Sequence, residues 1–125
     1  MKTETAAKYM KIILRLREKY GEVKSSMVAA EMHVTRPTVC VAMRHLQKAG
    51  MILFDDTHEI RLTAPGEEIA RKITERYEFF LEFFTKLGLP KPIAEKDACA
   101  LEYALSDEGY ALLRSKAGTF YTISI

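Results

Sequence analysis

Three amphipathic segments, the third bounded by Thr35 and Gly50, are followed by two brief β-type runs. A long segment then follows that is apolar round nearly its whole circumference. That order predicts a mainly α fold: a winged helix-turn-helix domain over residues 1–63 and a helical dimerisation domain over residues 64–125, with a long linking helix at 64–88. Charge supports the division. Residues 1–54 carry ten Lys/Arg against four Asp/Glu, and residues 55–125 carry nine against thirteen, so a basic unit precedes an acidic one.

The first helix spans Thr3 to Tyr20. Tyr9, Ile12, Ile13, Leu16 and Tyr20 recur at helical spacing, Lys8, Lys11, Arg15 and Lys19 fall away from that stripe, and Gly21 stops the last turn. Ser25 or Ser26 is placed to cap a short second helix through Met32, with Met27, Val28 and Ala30 to Met32 as its inner surface. His33-Val34 makes a tight break. Thr35 then caps a third helix whose first turn holds Pro37, where no intrahelical acceptor is lost. Its inward stripe is Val39, Ala42, Met43, Leu46 and Ala49, and Gly50 ends it in the left-handed conformation.

Met51–Phe54 and Glu59–Thr63 read as strands around the polar turn Asp55-Asp56-Thr57-His58. Thr63 caps the fourth helix, with Pro65 in its first turn and a stripe of Ile69, Ile73, Tyr77, Phe80, Phe84 and Leu87. The added Phe79, Leu81 and Phe83 leave that helix greasy on all sides. It therefore needs covering on all sides, and a second subunit is the expected source. Gly88 to Pro92 breaks the chain, a fifth helix follows from about Ile93 to Leu105, and Ser106 caps a sixth to about Ala117. The tail Thr119–Ile125 alternates polar and apolar residues and reads as a strand.

Composition excludes several classes. The chain has 125 residues and is 48% hydrophobic, too apolar for a disordered protein, while no segment reaches the ~18 uncharged apolar residues of a membrane span. The N-terminus becomes amphipathic at once, so no secretory signal is expected. Cys40 and Cys99 are too few for a disulfide scaffold and lack zinc spacing, which makes a reducing cytoplasm the expected compartment. No nucleophile–base pair or glycine-rich phosphate loop is present, so no catalytic residues and no enzyme activity are expected.

A capped helix in the third position, flanked by a turn and a hairpin, suits double-stranded DNA, whose major groove admits one α-helix. The outward positions of that helix are Thr38, Val41, Arg44, His45 and Lys48, with Arg36 at its leading end. Arg44 suits bidentate pairing with guanine, Val41 and Thr38 suit a thymine methyl, and Thr35 and Lys48 suit phosphates. The acidic wing tip, from Asp55 to Glu59, is expected to be repelled by phosphates and to contribute little.

Four stretches resemble the iron-dependent repressors, typified by the diphtheria toxin repressor and its manganese-responsive relatives. They are Val34-Thr35-Arg36-Pro37-Thr38-Val39, His45 to Ile52, Ile60-Arg61-Leu62-Thr63-Ala64-Pro65-Gly66, and Asp97 to Asp107. The first three are shared by many winged-helix regulators; the last is more particular, and the likeness covers about residues 3–117. It implies a metal-sensing transcriptional repressor with an N-terminal DNA-binding domain and a helical dimerisation domain. The family's C-terminal barrel domain has no counterpart in these residues.

The ligand positions implied by the resemblance are largely substituted. Lys8 and Lys11 stand on the first helix where the family carries donors, Tyr77 stands for a histidine, and Cys99 and Glu102 are kept while Tyr103 replaces the following histidine. A protonated lysine has no lone pair to offer and a neutral tyrosine is a poor ligand. The expectation is therefore a degenerate regulatory site with no metal and no cofactor, the alternative being a divalent transition metal at Cys99 and Glu102. Either the lysines pair with Glu102 in place of an ion, or they project into solvent. Cys99 reads as a buried thiol, or as a redox-responsive one beside lysine.

The reading that results is a homodimeric, cytoplasmic, repressor-like transcriptional regulator, with Phe79, Phe80, Phe83 and Phe84 forming the dimer interface. Two rivals stand beside it. One is a winged-helix regulator sensing a small organic ligand in an aromatic cleft, or redox state. The other is a protein-interaction module that no longer binds DNA.

Overall fold

The computed structural model describes residues 1–55 and 57–123, with side chains through residue 118. The elements run α1 (Thr3–Tyr20), α2 (Ser25–Met32), α3 (Arg36–Lys48), β1 (Ile52–Phe54), β2 (Ile60–Leu62), α4 (Ala64–Lys86), α5 (Lys91–Leu101) and α6 (Asp107–Ile123). They form two compact units, Met1–Lys72 and Ile73 onward. The two compact units meet inside α4, because Ile69 and Ala70 near its start pack on the core of the first unit.

That core is built from apolar positions that share a face on each element. Ile13 of α1, Val28 of α2, Val39 and Met43 of α3, and Ile52 and Ile60 of the hairpin are essentially inaccessible to water. α1 also buries Tyr9, Met10, Leu14 and Leu16, and burial pushes the Tyr9 phenol up from its ordinary range. Three inward expectations are corrected here. Tyr20 is 58% exposed, lying in the last turn with the Lys19 ammonium over its ring, and α2 turns Ala29 inward while Ala30 faces solvent. Ala49, expected inside, is the exposed C-cap of α3.

The caps show which local signals decide the helix ends. Lys24, not a serine, is the N-cap of α2, and no side chain closes that terminus; its first N–H groups find the Lys24 carbonyl instead. His33 takes the left-handed conformation (φ 57°) that ends α2. At α3 the expected cap is present: Thr35 Oγ1 accepts from the Thr38 N–H at 3.3 Å.

The hairpin pairs Ile52 with Leu62, Leu53 with Arg61 and Phe54 with Ile60, antiparallel. Ile60 also donates its N–H to the Val23 carbonyl at 2.9 Å, which fastens the free edge of β2 to the α1–α2 loop. Thr63 then joins the hairpin to α4. Its N–H donates to the Met51 carbonyl, its hydroxyl donates to the Gly50 carbonyl at 2.6 Å, and the same oxygen accepts from the Gly66 N–H at 3.2 Å. Gly66 lies so close beneath that a Cβ there would run into the Met51 carbonyl.

In the second unit, the remainder of α4 packs with α5 and α6 through aromatic rings. Phe80 is 1% exposed and stacks on Phe84, with Phe79 edge-on to both Phe80 and Tyr110. Ala94 and Ala98, one turn apart on α5, are fully buried. Gly88 (φ 104°) ends α4, so Leu87 lies beyond the helix and is 43% exposed.

Two expectations fail in this unit. α5 ends at Leu101, four residues early, and the Leu105 carbonyl is taken by the Arg76 guanidinium at 2.8 Å. α6, capped by Ser106 Oγ on the Gly109 N–H as expected, continues as helix through Ile123 where a strand was read. Once nucleated, a helix extends at the cost of one residue per hydrogen bond, and that outweighs the β preference of Thr119 to Ile123. Ser124 and Ile125, the end of the expected strand, lie outside the described residues.

Candidate nucleic-acid interface

α3 separates its two faces cleanly. Val39, Ala42, Met43 and Leu46 are buried, whereas Thr35, Arg36, Thr38, Val41, Arg44, His45 and Lys48 are all exposed, Val41 at 48%. The structure thus brings every residue expected at the interface to one face of one capped helix. Thr35 and Thr38 are partly engaged with each other, their hydroxyl oxygens 2.9 Å apart. One hydroxyl donates in that bond and the other keeps its hydrogen for an outside acceptor.

Electrostatics set this face apart from the rest of the first unit. Arg15 pairs with Glu31 at 2.9 Å, Arg17 and Arg71 both pair with Glu67, and Arg61 pairs with Asp55 and Glu59. Arg36, Arg44 and Lys48 make no ion pair among the described residues. Three cations without an ion-pair partner thus share the outer side of α3, an arrangement that draws a polyanion.

The wing is less acidic in effect than its sequence reads. Asp55 Oδ1 accepts from the Thr57 hydroxyl at 2.6 Å and from the Thr57 and Glu59 N–H groups, and its Oδ2 accepts from Arg61 at 3.2 Å. The Thr57 hydroxyl, the backbone donors and Arg61 hold the Asp55 carboxyl far below the usual carboxylate range. Arg61 also reaches Glu59 at 3.1 Å, and Lys24 donates to the Thr57 carbonyl at 3.3 Å. Sequence reasoning missed Arg61 and Lys24 as the groups that neutralise and anchor the wing. The available signal was Arg61 opposite Leu53 on the outward face of β2, two residues from Glu59.

The expected regulatory residues are divided between the units. Lys8 and Lys11 lie on α1, and Lys8 pairs with Glu4 of the same helix at 4.0 Å. Tyr77, Cys99 and Tyr103 are half-buried in the second unit, where Glu102 is fully buried with its Oε1 4.0 Å from Cys99 Sγ. Of the expected dimer residues, Phe79, Phe83 and Phe84 stay partly open, whereas Phe80 is buried within its own chain's core. Arg76 was missed. It falls on the apolar stripe between Ile73 and Phe80, is 4% exposed, and binds Asp107 at 2.6 Å with its guanidinium 4.7 Å from the Tyr110 ring centre.

A capped, cation-bearing third helix beside an antiparallel wing, joined to a helical unit, defines a winged helix-turn-helix protein. Residues 1–56 match the family described as iron dependent repressor, N-terminal DNA binding domain, and residues 63–121 match iron dependent repressor, metal binding and dimerisation domain. The chain belongs to the iron-dependent repressor family. It is 32% identical over 100 residues to the transcriptional regulator MntR of Escherichia coli O6:H1, covering 80% of this chain and 64% of that protein. It is 31% identical to an uncharacterised HTH-type transcriptional regulator of Methanocaldococcus jannaschii, covering 78% of this chain and 79% of that one. Among solved structures, a manganese-dependent transcriptional repressor in complex with manganese superposes with a TM-score of 0.77 at 26% identity, over 90% of this chain and 52% of the other. The chain thus spans about two-thirds of the length of the MntR relatives.

These matches correct the expectation of no cofactor and metal-independent regulation, because the matched C-terminal family is itself described as metal binding. Among the described residues the donors do not complete a site for a divalent transition ion. Cys99 and Glu102 supply two, and among the described residues no group of three or more His, Cys, Asp and Glu converges.

Proposed function

We propose that the chain is a homodimeric DNA-binding transcriptional regulator that sets α3 of each subunit into a major-groove half-site. The observation that supports this best is the contrast among cations: the arginines elsewhere in the first unit are matched by carboxylates, while Arg36, Arg44 and Lys48 stand open together on α3. Arg44, at the middle of the exposed face, is the residue for base reading. Arg36, Lys48 and the spare Thr35/Thr38 hydroxyl hydrogen are placed for phosphates. The wing, its one arginine shared between Asp55 and Glu59, keeps a net negative charge and adds little to phosphate binding. Two subunits present two such helices, so the operator has two half-sites separated by about one helical turn, ~34 Å, or a multiple of it.

The test is titration of duplex DNA followed by fluorescence anisotropy at several salt concentrations. Affinity falls linearly on a log–log plot, and Arg36→Ala or Lys48→Ala each lowers the slope by about one and weakens all sequences alike. Arg44→Ala relaxes preference at one base position in a selection experiment, by ~1–3 kcal/mol. Absence of salt-dependent binding to any duplex overturns the reading in favour of a protein-interaction module.

A further inference from the structure

A pocket of about 400 Å³ opens in the first unit, between the start of α1, the end of α3 and the entry to β1. Met1, Met10, Met51 and His45 line it, two from the start of the chain and two from the end of α3 and the approach to β1. Three of the six methionines of the protein therefore meet at one cavity, together with an imidazole. The rest of the lining is aliphatic apart from Thr3, and no carboxylate, lysine or arginine side chain takes part among the described residues.

We infer that this pocket is a binding site for a soft monovalent transition cation, Cu(I), for which Ag(I) is a redox-inert stand-in. Thioether sulfur is a soft, neutral donor that selects Cu(I), and imidazole completes such a set; manganese, iron(II) and magnesium prefer carboxylate and other hard oxygen donors, which this cavity lacks. Met10 is 3% exposed, Met51 is half-buried, and Met1 and His45 are exposed, so the donors lining the cavity range from buried to solvent-accessible. The three rotatable bonds of a methionine side chain let the sulfurs close on an ion without moving the backbone. The site is separate from Cys99 and Glu102, which belong to the other unit. Because His45 lies on the proposed DNA face, filling the site withdraws its ring from DNA; that consequence, unlike the site itself, rests on the DNA-binding reading.

The experiment uses the full chain with methyl-labelled methionine, in a Cys40→Ala, Cys99→Ala variant that removes competing thiols. One equivalent of Ag(I) is expected to shift the methyl resonances of Met1, Met10 and Met51 and leave Met27, Met32 and Met43 in place, while Zn(II) moves none of the three. In the unaltered chain, whose two thiols take the ion first, the same three resonances move on the third equivalent. Met10→Leu or Met51→Leu, which conserve volume, lower the affinity at least tenfold. Shifts spread over all six methionines, no saturation, or an equal response to Zn(II) overturn the site. Silver-loaded protein is expected to bind DNA at least fivefold more weakly, an effect lost in Met10→Leu. Unchanged DNA affinity alongside the three methyl shifts overturns the coupling to DNA and leaves the site standing.

Discussion

Glu67 receives two guanidinium groups: Arg17 donates to it at 2.9 and 3.3 Å, and Arg71 at 2.7 and 3.1 Å. Those hydrogen bonds, Arg17 first, lower its carboxyl to a pKa of about 2 and raise the Arg17 guanidinium further. A carboxylate with a depressed folded pKa stabilises the fold fully above its ordinary value, and that contribution disappears as pH falls toward the folded one. The stability difference between the parent and Glu67→Gln should therefore be constant above about pH 4.5 and shrink to nothing near pH 2, measured by urea denaturation at successive pH values. An identical gap at pH 7 and pH 2 would show that Glu67 acts by packing alone. Nothing in the sequence marks Glu67 as the meeting point of α1 and α4, because Arg17 lies 50 positions away.

The elements show what short-range patterns convey. Thr35, Thr63 and Ser106 were legible as caps because each is a hydroxyl residue immediately before an apolar period, and each holds a first-turn N–H in the fold. The reading of α2 went wrong for the same reason turned round: two serines stand at its start, but their side chains do not close the terminus. Similarly, no local pattern marks the end of α5, where the Ala104 N–H turns back to the Leu101 carbonyl and the Leu105 carbonyl goes to Arg76, 29 residues distant. Because α3 depends on a single side-chain cap, Thr35→Ala should cost about 1 kcal/mol in global stability. It should also weaken DNA binding in the anisotropy assay by disordering the turn that carries Arg36. A Thr35→Ser change, which keeps the hydroxyl, should restore both.

For the whole molecule, the long helix was read as apolar on every side, yet it keeps an exposed polar stripe at Arg71, Glu75, Glu78 and Glu82, and the sequence could not tell which phenylalanines its own chain would cover. Phe80 packs against Phe79, Phe84 and Tyr110, while Phe83 stays half-buried and Leu112, on α6, is 63% exposed. The two positions should therefore respond differently. Phe80→Ala should destabilise the second unit by ~3–5 kcal/mol, seen as loss of its cooperative unfolding. Phe83→Asp should leave helix content unchanged and convert dimer to monomer in sedimentation velocity. A folded dimer from both variants would place the subunit contact elsewhere. The two faces of α3, by contrast, were legible apart from Ala49. Helical period alone sorts α3 into wet and dry faces, and no distant partner alters that sorting.

Where the hairpin hands over to α4, the Met51 carbonyl occupies the volume a side chain at residue 66 would need. Substitution by alanine there should push the first turn of α4 off the hairpin, breaking the Thr63–Met51 and Thr63–Gly50 hydrogen bonds together and speeding amide exchange at Thr63 and Gly66. The missing methyl group thus acts as a gauge for descent. Any sister chain carrying a bulkier residue at this corner must have rebuilt its junction, and its wing would have to leave the first unit by another route.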